Sequence, residues 1–223
     1  MPGSRTGSEA ERRSKMTETI NGKTIISTPF TDSDLNALHA GDVIFINGDI
    51  VTGRDDVHIR AVRENIDLPA DLRGKALMHA GPIVRRSSDG GYEMISIGPT
   101  TSMRMEKFEY DFIEKTGVRL IIGKGCMGSR TAEACRKFGA VHCVLPAGNA
   151  VVGAACIEEI NGLDWQDLGM AEALWSLRVK CLGPLIVSID TSGRNLFEEK
   201  KKEYNARKEE QIEEISKKLE TIL

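Results

Sequence analysis

The sequence predicts a layered α/β domain with a mixed sheet, followed by a charged helix at the C-terminal end. Three observations carry this. Short β-branched runs alternate with helical periods along most of the chain, the expected pattern of strands separated by helices. Two closely spaced strand pairs before residue 100 add antiparallel pairing to a sheet that would otherwise be parallel. The last stretch is charge-dense, with Ile212, Ile215, Leu219 and Ile222 in 3-4-3 spacing.

The 223 residues suffice for one principal core. Hydrophobic residues make up 40% and charged residues 28%, an ordinary globular composition. A net charge of −3 argues against a protein built around nucleic-acid phosphates, so an anion site here must be local. No run is apolar and long enough for a membrane span, and the N-terminal stretch lacks the apolar centre of a signal peptide. The expected location is the cytoplasm. Residues 1–23 read as a flexible leader in which Met16 could be the natural start, 24–195 as the main domain, and 196–223 as an amphipathic helix docked on its own domain or on another subunit. The five cysteines, Cys126, Cys135, Cys143, Cys156 and Cys181, have no CxxC and no short ligand spacing, so they read as reduced thiols and no metal site is expected in this chain.

Element by element, "KTIISTPF" reads as a strand. Thr31 and Asp34 stand in capping-box spacing at the start of a short helix that ends near Gly41. "DVIFINGDIVTG" carries Asn47-Gly48 between alternating residues and predicts a hairpin of two strands. "RDDVHIRAVREN" places Asp55 and Asp56 in a first helical turn. "KALMHAGPIV" and "YEMISIGP" are strands separated by a turn at residues 87–91. From Ser102 to Lys115 the spacing of Met105, Phe108 and Phe112 predicts an amphipathic helix with Arg104, Lys107 and Asp111 on its polar side. "GVRLIIGKG" and "AVHCVLPAG" read as strands flanking a helix that Gly139 terminates. "NAVVGAACIEEI" reads as a helix and "VKCLGPLIVSID" as a strand pair or one bent strand.

The polar residues of interest lie at the ends of these elements, where unpaired backbone N–H groups favour anions. In "GPTTSMR", Thr100 or Thr101 can cap the following helix, and Arg104 falls on the same side one turn later. A carboxylate there could accept hydroxyl, backbone and guanidinium hydrogen bonds; equally, Thr101 or Ser102 caps the helix and Arg104 is solvated. In "TGRDDVH", Arg54 could bind an anion with Asp55 or His58 orienting it, or the acids could serve only the helix dipole. Lys124 lies between two glycines, but GxxxxGK[ST] is absent and nucleotide binding is not indicated. His39, His79 and His142 stand singly and read as structural. GxSxG and HExxH are absent, which leaves a self-contained hydrolase unsupported.

Taken together, "GDVIFINGDIVTGRDDVHIR", "KALMHAGPIVRR", "SIGPTTSMRMEKFEYDFIEKTGV", "IIGKGCMG", "FGAVHCVLPAGNAVV" and "LGMAEALWSLRVK" resemble, in order and spacing, the β subunit of two-subunit class I iron–sulfur hydro-lyases, the fumarate hydratase and L(+)-tartrate dehydratase family. The resemblance runs from about Thr24 to Asn195. It implies a three-layer β/β/α fold of the swivelling-domain type. It also implies a four-iron, four-sulfur cluster carried by a partner α subunit and not by this chain, and a dicarboxylate substrate held between the two. By matching motif it makes Arg54, Arg104 and Lys124 the cations that bind the substrate carboxylates and Thr100 the proton-transfer residue, with Asp55, His58 and Thr101 in support. Fumarate hydration to malate is the expected reaction. Tartrate dehydration, or a non-catalytic assembly role, is the alternative. The isolated chain could form a homodimer.

Overall fold

A computed structural model describes residues 17–20, 22–88 and 90–220. Among these residues, ten strands and six helices, the last of them C-terminal, form a mixed α/β domain. The strands are β1 (Thr17–Ile20), β2 (Lys23–Ser27), β3 (Val43–Thr52), β4 (Ala76–Met78), β5 (Ile83–Arg86), β6 (Tyr92–Ser96), β7 (Leu120–Gly123), β8 (Val141–Val144), β9 (Ile157–Asp164) and β10 (Leu174–Ile189). The helices are α1 (Asp32–Asn36), α2 (Asp55–His58), which widens into a π turn over Ile59–Arg63, α3 (Glu106–Thr116), α4 (Ser129–Phe138), α5 (Ala150–Ala155) and α6 (Leu196–Glu220).

The main sheet runs β1-β2-β3-β4-β7-β8-β10-β9, and β3 also pairs with β10. That extra pairing closes β3, β4, β7, β8 and β10 into a ring. Within it β3, β4, β7 and β8 are mutually parallel, while β10 is antiparallel to both β8 and β3. Strands β5 and β6 form a separate hairpin.

The period-2 alternation of side chains divides the apolar residues between two cores. Ala76, Met78, Leu120, Ile122, Val141 and Cys143 pack inside the strand ring with Ile44, Ile46, Trp175 and Val187. The intervening Leu77 and Ile121 face the other way, onto Val57 of α2, Phe112 and Ile113 of α3, and Ala134 and Cys135 of α4. Two β layers and one helical layer follow from this split, in line with the β/β/α architecture.

Several local expectations hold in detail. Thr31 and Asp34 form a reciprocal capping box at α1, and Gly139 takes a left-handed conformation just past α4.

Other expectations are corrected. Asn47-Gly48 is not a hairpin turn, because β3 continues through it as a single strand. Gly48 adopts φ +101 where the β3–β10 register shifts, and Thr28 Oγ1 fills the space a Cβ would take while accepting a bond from the Asp49 N–H at 2.6 Å. The Asn47 side chain accepts from the Cys181 N–H at 2.7 Å. The partners that straighten this segment are far away in sequence, which a local turn signal cannot register. "IEEI", expected in a helix, opens β9; of the two readings of "VKCLGPLIVSID" the bent strand holds, as part of β10 up to Ile189. Thr17–Ile20, inside the stretch read as leader, pairs antiparallel with β2; the rest of that stretch up to residue 16, with Met16, lies outside the described residues. Helix α6 does not lie down on its domain: Ile212, Ile215 and Leu219 are each more than half exposed. Ile222 lies outside the described residues.

Candidate active site

Arg54 stands at the entrance to α2 in extended conformation, because β3 has ended and the helix has not begun. Its Nη2 pairs with Glu172 Oε1 at 3.1 Å, and its Nε is buried without a hydrogen-bond partner. Glu172 Oε2 also accepts from the Asp56 N–H at 3.2 Å. Burial pushes the Glu172 carboxyl above the ordinary glutamate value, since removal from water disfavours its charged form. A side chain on Gly81 would collide with Arg54 Nη1 and Ala171, so the His79–Pro82 turn needs glycine to close over the guanidinium.

Arg104 lies in a single 3-10 turn, Ser102–Arg104, that precedes α3. Its Nε donates to Asp55 Oδ1 at 3.1 Å, its Nη2 donates to Asp55 Oδ2, and its Nη1 reaches Thr100 Oγ1 at 3.4 Å. The guanidinium holds the Asp55 carboxyl below the ordinary aspartate value. Thr101 stands at the N-cap of the 3-10 turn but makes no side-chain capping bond, and Thr100 lies before it. Thr100 donates its N–H to the His79 carbonyl at 2.6 Å and accepts from the Lys124 N–H at 2.9 Å, while Thr101 bridges Lys124 in parallel. Lys124 follows the last residue of β7 and makes no ion pair among the described residues.

The structure therefore brings Arg54, Asp55, Thr100, Thr101, Arg104 and Lys124 to one rim, where α2, the 3-10 turn and the end of β7 meet. His58 does not reach this rim. It is fully buried, with its Nδ1 at 2.7 Å from the Arg54 carbonyl oxygen, so it braces the backbone of Arg54 rather than its guanidinium.

Beneath the rim lies a polar chain that the single histidines of the sequence did not suggest. His58 Nε2 and His79 Nε2 each stand 3.3 Å from Glu109 Oε2. His79 Nδ1 contacts Ser102 Oγ at 3.0 Å, Ser102 Oγ contacts His142 Nε2 at 3.2 Å, and His142 Nδ1 contacts Ser188 Oγ at 2.6 Å. All six side chains are buried. Burial pushes the His142 imidazole down to about 3 and lowers His79, because the charged form loses its water. A signal was present in the sequence: Glu109 falls on the apolar stripe of α3 between Met105 and Phe112, where an acid needs a buried partner. Gly123 is required here, since any Cβ would overlap Ser102 Oγ.

The five cysteines do not gather. Cys143 lies inside the strand ring, Cys135 between sheet and helices and Cys126 half-buried beyond β7, while Cys156 and Cys181 are neighbours, the Cys156 Sγ 3.8 Å from the Cys181 carbonyl oxygen. Among the described residues, the one set of three side chains with metal-ligand spacing is His58, His79 and Glu109.

Fold and rim define a mixed α/β domain that presents arginines and a lysine, two of them already engaged by carboxylates, beside a threonine hydroxyl. The family described as Fumarase C-terminus matches residues 4–200, and this chain belongs to it, as a β subunit of the fumarate hydratase and tartrate dehydratase group. It is 53% identical to the L(+)-tartrate dehydratase subunit beta of Escherichia coli (strain K12) over 193 residues, which is 86% of this chain and 96% of the relative. It is 38% identical over 173 residues to a protein of Methanocaldococcus jannaschii provisionally named L(+)-tartrate dehydratase subunit beta, covering 76% of this chain and 88% of the relative. It is also 38% identical over 174 residues to a protein of Geobacillus stearothermophilus provisionally named a class I fumarate hydratase, covering 78% of this chain but 33% of that longer relative. No helix among the described residues is long and apolar enough to cross a membrane.

Proposed function

We propose that this chain is the β subunit of an iron–sulfur hydro-lyase and that it contributes the carboxylate-binding and proton-transfer residues of an active site completed by an α subunit. The observation that carries this reading is the convergence of Arg54, Thr100, Arg104 and Lys124 on one rim. Arginine offers a fork matched to a carboxylate and Lys124 a compact charge. In the proposed reaction a proton leaves the carbon next to a substrate carboxylate and a hydroxide leaves the neighbouring carbon. The charge that develops on that carboxylate makes fixed cations more stabilising in the transition state than in the ground state.

Thr100 is the proposed proton carrier. An alcohol is a poor base, and the Arg104 Nη1 beside its Oγ1 supplies positive charge that favours the deprotonated form. Asp55 and Glu172 orient the two arginines and yield to the incoming substrate carboxylates. The dispersed cysteines of this chain do not fit a cluster, which supports placing it on the α subunit. When bound, such a cluster would supply a Lewis acid for the departing hydroxyl.

L(+)-tartrate is the proposed substrate, its dehydration giving oxaloacetate and water. Identity of 53% along nearly the whole E. coli tartrate dehydratase subunit favours it over fumarate, reversing the order that motif resemblance alone suggested. Fumarate hydration to malate is the second reading, favoured by the Geobacillus relative. Anaerobic kinetics of the two-subunit enzyme on each substrate decide: a kcat/KM at least ten-fold higher for L(+)-tartrate supports the first reading, and the reverse ratio replaces it with the second.

A further inference from the structure

One arrangement of hydrogens satisfies every contact along the buried chain beneath the rim. In it, Ser188 Oγ donates to the His142 carbonyl at 3.1 Å and accepts from the His142 Nδ1–H at 2.6 Å. A neutral His142 then has a bare Nε2, which accepts from the Ser102 hydroxyl. With that hydrogen used, Ser102 can only accept from His79, so His79 carries its hydrogen on Nδ1. His58 Nδ1 faces a carbonyl oxygen, which only accepts, and so carries its hydrogen there too.

Both histidines thus turn Nε2 toward the Glu109 carboxylate. Neither nitrogen makes an aligned hydrogen bond, and both Glu109 oxygens lack one as well, although all three side chains are fully buried. Bare nitrogen lone pairs facing carboxylate oxygen lone pairs repel each other unless a proton or a cation lies between them. An Nε2–H aimed at Oε2 would give an aligned bond, which neither ring makes. Two of the three separations match a metal: a tetrahedral ion with bonds of about 2.0–2.1 Å sets its ligand atoms about 3.3–3.4 Å apart, against the observed 3.3 Å from each Nε2 to Oε2, and all three donor atoms lie within 4.8 Å of one another. The outer contacts fit as well, because metal-bound histidines typically donate their other N–H to a carbonyl or a hydroxyl.

We propose that His58 Nε2, His79 Nε2 and the Glu109 carboxylate bind one divalent transition-metal ion, of the zinc class by their donor set, as a structural site under the arginine rim. The ion ties α2, the end of β4 and α3 together. Its ligands also hold the rim, since the His58 ring and N–H contact the Arg54 carbonyl and the His79 carbonyl takes the Thr100 N–H. The proposal concerns this chain alone and stands whichever dicarboxylate is the substrate.

The test is metal content of the full-length chain, produced without a polyhistidine tag, exposed to Zn2+ and dialysed. The expected result is stoichiometric zinc, lowered at least ten-fold in Glu109→Gln and retained in His39→Ala, whose histidine is exposed. Because Glu109→Gln could misfold, Co2+ is also loaded into the wild-type chain, where visible absorption of a tetrahedral site, bleached by Zn2+, is expected. Folded wild-type chain with no stoichiometric metal and no Co2+ spectrum would overturn the proposal in favour of an imidazolium–carboxylate pair, as would equal binding by folded Glu109→Gln.

Discussion

Arg104 and Asp55 face each other across the rim, the guanidinium donating from Nε and Nη2 to the two oxygens of one carboxylate. The geometry presets Arg104 for a planar carboxylate, and the substrate has only to replace one such group with another.

Asp55→Asn should leave Arg104 without its fixed partner. The pair is partly exposed, so its effect on stability should stay below about 1 kcal/mol. The larger effect should fall on turnover, with kcat reduced about ten-fold through loss of alignment. Denaturant midpoints and steady-state kinetics on the assembled enzyme separate the two. A marked loss of stability with normal kcat would make Asp55 a structural residue.

Glu172→Gln should act on the other arginine. Its charge is paired with Arg54 at 3.1 Å, and the amide keeps the shape without the charge. Expected is a KM change of a few-fold with little change in kcat, since the substrate then meets a free Arg54.

Gly123→Ala should destabilise by about 2–3 kcal/mol, because the new methyl would overlap Ser102 Oγ and break the Ser102 contacts with His79 and His142. Urea denaturation measures this directly. A neutral result would mean the buried chain tolerates displacement of Ser102.

His142 gives a pH dependence of defined sign. Its folded value, about 3, lies below the ordinary 6.5, so between these values the unfolded chain binds a proton that the folded chain refuses. Stability therefore falls on acidification through that window, by up to about 1.4 kcal/mol per pH unit from this group. Above pH 6.5 the group is neutral in both states and contributes no slope. In a folded His142→Gln variant the slope between pH 6 and pH 4 should be shallower.

Local signals in the sequence were sufficient for the capping box at Thr31, the glycine stop at Gly139, and the amphipathic face of α3. The rim was legible as separate motifs, but its assembly was not, because Asp55 and Arg104 are 49 residues apart and Arg54 pairs with Glu172 from a distant loop. Asn47-Gly48 misled for a related reason, since pairing with β10 overrides the turn preference. His79 and His142 looked solitary because Ser102, which joins them, lies between them in sequence and carries no histidine-partner signature.

The central claim is that this chain supplies essential residues to a site shared with an α subunit. Its most direct test is anaerobic turnover of L(+)-tartrate by this chain alone, by the α subunit alone, by the two together, and by the pair carrying Lys124→Ala, with assembly checked by sedimentation. Activity in the wild-type mixture only, and its loss by at least a hundred-fold in the assembled Lys124→Ala pair, is the predicted result. Full turnover by the α subunit alone, or by the assembled Lys124→Ala pair, would contradict it.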